Sequence, residues 1–266
     1  MSSTLPIAQT ATPAGRLRGK TAIVTGAPRS IGAAVAAALA AEGANVVVHY
    51  FNRPEEADRT AVELRSAGGS AITLGGDLSH SGEVKALFEQ AAEHFGGVDI
   101  VVANAGATSA PSSVAEISDE LFERLLNADT RATFNVLRAA ARVIRDGGRI
   151  INISSSSVRF EPAGFAAYST SKAGALTTIG ILAKELGARG ITANSIMAGP
   201  IGAGFLDPAS EIVKNAADAV DDLAAAAPAG RLGQPDDIAP IALFLASPES
   251  GWVNGQTILA NNGALV

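Results

Sequence analysis

Seven short runs of β-branched and aliphatic residues recur along the chain, and longer stretches with apolar residues at helical spacing separate them. "TAIVTG" precedes a helical stretch at 30–42, "NVVVHY" one at 54–67, "SAITLGGD" one at 80–95 and "DIVVANAG" a long one at 118–145. "GRIINISS" leads to 165–188 and "ITANSIMAG" to 235–246, and "GQTILAN" closes the series. Strands apolar on both faces and joined by helices predict a parallel sheet covered on each side. The fold class is therefore α/β, a doubly wound, Rossmann-like sheet of about seven strands with helices on both faces. Right-handed crossovers then place a ligand outside the carboxyl ends of the strands, where the strand order switches.

A chain of 266 residues, 47% hydrophobic and 17% charged, suits one large domain. That domain is assigned to 16–266, after a polar, proline-broken segment at 1–15 that reads as a flexible extension and not as a signal peptide. Residues 201–233 interrupt the alternation with a helical middle between glycines and prolines, and are expected to form a lid. No apolar run reaches the ~18 residues of a membrane span. A net charge of −6 with scattered basic residues argues against a nucleic-acid surface. His49, His80 and His94 stand apart, without the company of a metal site. With no cysteine there is neither disulfide nor thiol nucleophile, which agrees with a cytoplasmic location.

"TGAPRSIG" at 25–32 lies between a strand and a helix, so its backbone N–H groups and the helix dipole face any bound phosphate. Gly26, Arg29, Ser30, Ile31 and Gly32 are the expected cradle. In "YSTSK", Tyr168 and Lys172 lie one helical turn apart and project from the same face. A phenol titrates near ~10, and a neighbouring ammonium favours its ionised form. Lowering it by ~2–3 units takes roughly 3–4 kcal/mol and makes the tyrosine a usable general acid or base. "INISSSSV" ends a strand on four serines among which residue type alone does not choose. Asn104 is equally suited to a turn. Asn127 is a poor residue for the middle of a long helix, tolerated where the helix bends or the side chain has a task.

In this order the motifs resemble the short-chain dehydrogenase/reductase family, in its short single-domain branch, from about Leu17 to the last strand. "TGAPRSIG" is similar to the family's TGxxxGxG turn with Ser30 for the middle glycine, "NAG" at 104–106 to its fourth-strand signature, and Tyr168 with Lys172 to its YxxxK pair. The resemblance implies Asn127 as the helix asparagine and, of the four serines, Ser155. It implies hydride transfer between a nicotinamide and a carbonyl or alcohol carbon. Tyr168 would protonate the developing alkoxide, Ser155 polarise the carbonyl, Lys172 hold the ribose, and Asn127 anchor a relay water. Asp77 and Leu78 would lie beside the adenine, and Asn104, Ala105, Gly106, Gly199 and Ile201 would line the cofactor. Two departures stand out: Ala198 and Ala203 replace the family's proline and threonine, leaving the Ile201 backbone to help anchor the carboxamide. "ANNGA" replaces a common Asp-Gly-Gly.

NAD-selective proteins place Asp or Glu at the end of the second strand. Here His49 stands at that site, with Tyr50, Asn52 and Arg53 following. Arg29 and Arg53 as bidentate donors to a 2′-phosphate favour NADP(H) over NAD(H), whereas contact of Glu55 or Glu56 with the ribose would favour NAD. The expectation is an NADPH-dependent carbonyl reductase similar to 3-oxoacyl-carrier-protein reductases, acting on a small, mainly apolar ketone. The alternatives are an NAD-dependent secondary alcohol dehydrogenase and a catalytically idle, cofactor-binding regulatory protein. Phe160, Phe165 and Phe205 are candidate pocket residues. The resemblance also implies a homodimer or homotetramer through helices 118–145 and 165–188, with Ala132, Ala139, Ala166 and Gly174 permitting close approach.

Overall fold

The computed structural model describes residues 15–203 and 217–264. Seven parallel strands, β1 (Thr21–Val24), β2 (Asn45–Tyr50), β3 (Ser70–Gly75), β4 (Ile100–Ala103), β5 (Arg149–Ser155), β6 (Thr192–Ala198) and β7 (Thr257–Ala260), form one sheet. Their order is β3-β2-β1-β4-β5-β6-β7. The order reverses between β1 and β4, and a crevice opens there at the carboxyl ends.

Alternation along the strands builds two apolar layers. Ala22, Val24, Val46, Val48 and Ile151 pack on one side against α1 (Ser30–Ala41), α2 (Pro54–Ser66) and α9 (Pro235–Ala246). Ile23, Val47, Val101 and Ile150 pack on the other against α3 (Ser81–Phe95), α5 (Ala132–Val143) and α7 (Ala166–Glu185). Each fully buried aliphatic side chain contributes about 1.5–3 kcal/mol, so the sheet core holds the strand ends on which the crevice is built.

The long helix expected at 118–145 is not continuous. α4 (Asp119–Leu125), capped by Ser118 Oγ accepting from Leu121 N–H at 3.2 Å, runs into a π turn at Leu126–Arg131 before α5 begins. The Ala132 N–H reaches back to the carbonyl of Asn127, the wider spacing of a π bulge. A four-residue helix, α6 (Ser157–Phe160), follows β5 directly; sequence periodicity had no turn to detect there. In the insertion at 201–233, α8 (Ala217–Ala226) is the helical middle, while 204–216, with Phe205, lie outside the described residues, as do 1–14. Ala132, expected at a subunit interface, is instead buried in the protomer's own core. No described helix is long and apolar enough to cross a membrane.

Candidate active site

The crevice is a cleft of about 1220 Å³ that runs from the glycine turn to α7. Its first end is a frame of neutral hydrogen bonds. Thr25 Oγ1 accepts from the amides of Asn104 (2.9 Å) and Ala105 (3.0 Å), and Asn104 Nδ2 donates to the carbonyls of Thr25 (2.9 Å) and Gly26 (3.1 Å). A Cβ on Gly26 would stand 2.8 Å from Ala105 Cα, and one on Gly32 would stand 2.3 Å from the Gly26 carbonyl oxygen. Both positions admit only glycine. Ser30 takes φ 53°, a left-handed conformation that a glycine adopts without steric cost.

His49 borders the cleft and braces this turn. It is 1% exposed, and its ring lies 3.4 Å from the Gly26 amide at Nδ1 and 3.0 Å from the Gly76 carbonyl at Nε2. An amide can only donate and a carbonyl only accept, so the ring is neutral with its proton on Nε2. Burial drives its pKa down to about 4, against a smaller opposing effect of the Gly76 bond. At the end of β2, where an acid would contact the ribose, a neutral imidazole thus braces two loops. Tyr50, Asn52 and Arg53 border the cleft beside it.

The two arginines differ. Arg53 is paired with Glu56 at 2.5 Å, so its charge is offset. Arg29 precedes α1 in extended conformation, exposed on the cleft rim, and among the described residues its guanidinium has no ion-pair or hydrogen-bond partner. Beyond β3, Asp77 accepts from the Ser79 amide at 2.8 Å, and Leu78 packs into the core while its carbonyl accepts from Asn135 Nδ2 at 3.0 Å. Burial disfavours the Asp77 carboxylate, but the Ser79 and His80 interactions outweigh it and hold its pKa below the ordinary value.

At the other end, Tyr168 and Lys172 occupy successive turns of α7, with Lys172 Nζ 5.8 Å from the Tyr168 ring centroid. Of the four serines, Ser154 Oγ donates to the Lys172 carbonyl at 3.5 Å. Ser155 Oγ accepts from the Ser157 amide at 3.2 Å, which leaves its own proton free for a ligand. Ser157 Oγ and Thr108 Oγ1 are buried in the cleft lining with no partner. Phe160, Pro162, Phe165 and Leu223 supply apolar wall, and Ala198, Gly199, Ile201 and Ala203 close the side below β6. A Cβ on Gly199 would stand 2.8 Å from Asn261 Cβ, so this wall is backed directly by the chain after β7.

The long helix meets Lys172 directly through Asp129. Asp129 is 1% exposed, and its Oδ1 lies 3.0 Å from Lys172 Nζ and accepts from the Ala107 amide at 3.0 Å. Its Oδ2 accepts from Ser171 Oγ at 2.7 Å. Gly106 permits the approach: a Cβ there would stand 2.3 Å from Lys172 Nζ and 2.4 Å from Asp129 Oδ1. Asn127 borders the cleft and spends its carbonyl on the π turn. Burial alone would lower the Lys172 pKa, yet the charge of Asp129, with Tyr168, raises it above the ordinary value. The signal for Asp129 was present in the sequence, because an aspartate amid apolar helix residues is as ill-suited there as Asn127.

The cleft fits a dinucleotide on its own geometry. A glycine cradle opens onto a helix N-terminus, a free guanidinium stands at its rim, and two orphaned hydroxyls lie at the far end.

Residues 26–264 match the family described as enoyl-(acyl carrier protein) reductase. The chain is 41% identical over 257 residues to the versicolorin reductase of Emericella nidulans, covering 94% of this chain and 97% of that protein. It is similar in structure to a short-chain dehydrogenase of Burkholderia cenocepacia in complex with NADP, with a TM-score of 0.87, 34% identity and coverage of 94% and 100%. A landomycin C-6 ketoreductase with bound NADP and rabelomycin superposes with a TM-score of 0.83 at 34% identity, covering 94% of this chain and 98% of that one.

Proposed function

This chain belongs to the short-chain dehydrogenase/reductase family, and from that premise we propose that it is an NADPH-dependent reductase of hydroxylated aromatic ketones. The observation that carries the reading is Tyr168 one turn from Lys172, in the same cleft as the glycine turn and as Ser155, whose own proton is free. Gly26, Ser30, Ile31 and Gly32 would hold the dinucleotide phosphates, and Arg29 its 2′-phosphate. When bound, the reduced nicotinamide supplies the hydride.

The protein's own groups do the rest. Tyr168 donates its phenolic proton to the oxygen of the reduced carbonyl, as general acid. Ser155 donates a hydrogen bond to the same oxygen and stabilises the charge that develops on it. Lys172 lends a positive charge to the tyrosine. Phe160, Pro162, Phe165 and Leu223 fit a flat apolar body, and the Ser155 hydroxyl fits its ketone. Two relatives lend support by name, a versicolorin reductase and a ketoreductase holding rabelomycin. A missing carboxylate at the end of β2 and the free Arg29 favour NADPH over NADH. Exposed Phe134 and Val143 on α5 and Ile181 on α7 support assembly through these helices as a dimer or tetramer.

The test is a panel of aromatic, aliphatic and β-keto substrates followed by loss of NADPH absorbance and repeated with NADH. Turnover of hydroxylated aromatic ketones with NADPH is expected. Faster oxidation of secondary alcohols with NAD, or turnover of no member of the panel in either direction, would overturn the reading.

A further inference from the structure

The buried carboxylate opposite Lys172 changes the charge of the site. An ammonium beside a phenol favours the ionised phenol; a carboxylate 3.0 Å behind that ammonium offsets the effect. We propose that Asp129 is a positioning residue that fixes the Lys172 ammonium, offsets its charge, and thereby sets the pH range over which the site donates its proton. This rests on the reading of Tyr168 as the proton donor.

Three bonds hold the carboxylate in one orientation: Lys172 and the Ala107 amide on Oδ1, and Ser171 Oγ on Oδ2. Other charges are distant in role. From the π turn and α4, Arg131 and Arg124 lie exposed at the cleft lining; Arg124 donates to the Thr108 carbonyl. From α5, Arg138 is turned to Asn135, and from α6, Arg159 lies over the Phe160 ring. β5 offers serines, and the loop after β4 offers amides. The charges that act on Lys172 are Asp129 and Tyr168. Fixed by Asp129, the ammonium cannot swing away, and its charge toward the phenol is offset.

Asp129→Asn isolates the charge. The substituted side chain keeps an oxygen for Lys172 and Ala107 and turns its amide to Ser171 Oγ, whose own proton has the Tyr168 carbonyl at 2.8 Å. Because the chain has two tyrosines, Tyr50 and Tyr168, tyrosinate absorbance against pH, with Tyr168→Phe as reference, reports Tyr168 without substrate or cofactor. The midpoint is expected to move down by about one pH unit in Asp129→Asn, and the alkaline limb of ketone reduction to move with it. Asp129→Ser, smaller and neutral, is expected to give the same direction should Asp129→Asn fold poorly. An unmoved or raised midpoint in a folded variant would overturn the proposal even if ketones are reduced. A lowered midpoint in a protein that reduces no ketone would instead uphold it and leave the proposed activity refuted.

Discussion

The two ends of the cleft are built on opposite electrostatic plans. Around the glycine turn, Thr25 and His49 are buried, Asn104 is partly buried, and all three are neutral and bonded to backbone partners. Around α7, an ammonium and a carboxylate are buried as a pair while two hydroxyls remain unpartnered. Satisfied neutral groups make a rigid frame at little desolvation cost, whereas a buried pair costs several kcal/mol per ion and holds only in good geometry. One end therefore receives a ligand's charge from outside, and the other carries charge of its own.

The largest test of that division is Tyr168→Phe. Loss of the general acid is expected to lower kcat for ketone reduction by about 10²–10⁴-fold. NADPH affinity, measured by fluorescence titration, is expected to stay close to wild type, because the phosphate end is built independently. Full activity in Tyr168→Phe would remove the catalytic assignment, and a parallel loss of NADPH binding would remove the division.

Acid should break the neutral end first. His49 has a folded pKa of about 4 against ~6.5 in the unfolded chain, so below pH ~6.5 the unfolded state takes up a proton that the folded state refuses. Its stabilising effect is complete above pH ~6.5 and falls by about 3 kcal/mol as the pH drops to about 4. In His49→Gln, thermal unfolding is expected to begin from a lower Tm at neutral pH and to depend less on pH across that window. An equal slope in wild type and variant would mean that His49 is not the group that titrates.

The same contrast explains what could be read from the chain before folding. Gly26, Gly32 and the alternation of apolar runs act through local backbone geometry and periodicity, and both are written in adjacent residues. The strand limits at β2 and the start of α7 followed from them almost residue for residue. Asp129 and Lys172 are 43 positions apart and meet only because a π turn rotates the helix that carries Asp129, a distortion that no 3.6-residue pattern predicts. Asn127 satisfied the same propensity argument and lines the cleft, but the direct partner of Lys172 is Asp129, two residues on. Strand position placed His49 at the cleft, but its hydrogen bonds to Gly26 and Gly76 depended on the loops after β1 and β3, which no local pattern specifies.

Arg29→Ala sharpens the comparison at the receiving end. A free guanidinium on a 2′-phosphate is expected to matter about tenfold, roughly 1.4 kcal/mol, seen as a higher KM for NADPH with that for NADH little changed. Arg53→Ala, already offset by Glu56, is expected to do less. Equal effects of Arg29→Ala on both nucleotides would remove the 2′-phosphate contact and with it the preference for NADPH.

The smallest effect tests whether the neutral frame is itself strained. Ser30 holds φ 53°, where an L-residue costs about 1–2 kcal/mol relative to the right-handed region, while glycine gives back about 0.5–1 kcal/mol in unfolded-state entropy. Ser30→Gly is therefore expected to raise stability by about 0.5 kcal/mol, a Tm gain of roughly 1–2 °C. The gain should be the same with and without NADPH if the turn is preformed. A gain confined to the free protein would show that the bound phosphates hold the serine in its strained conformation, and that this end of the cleft is completed by its ligand.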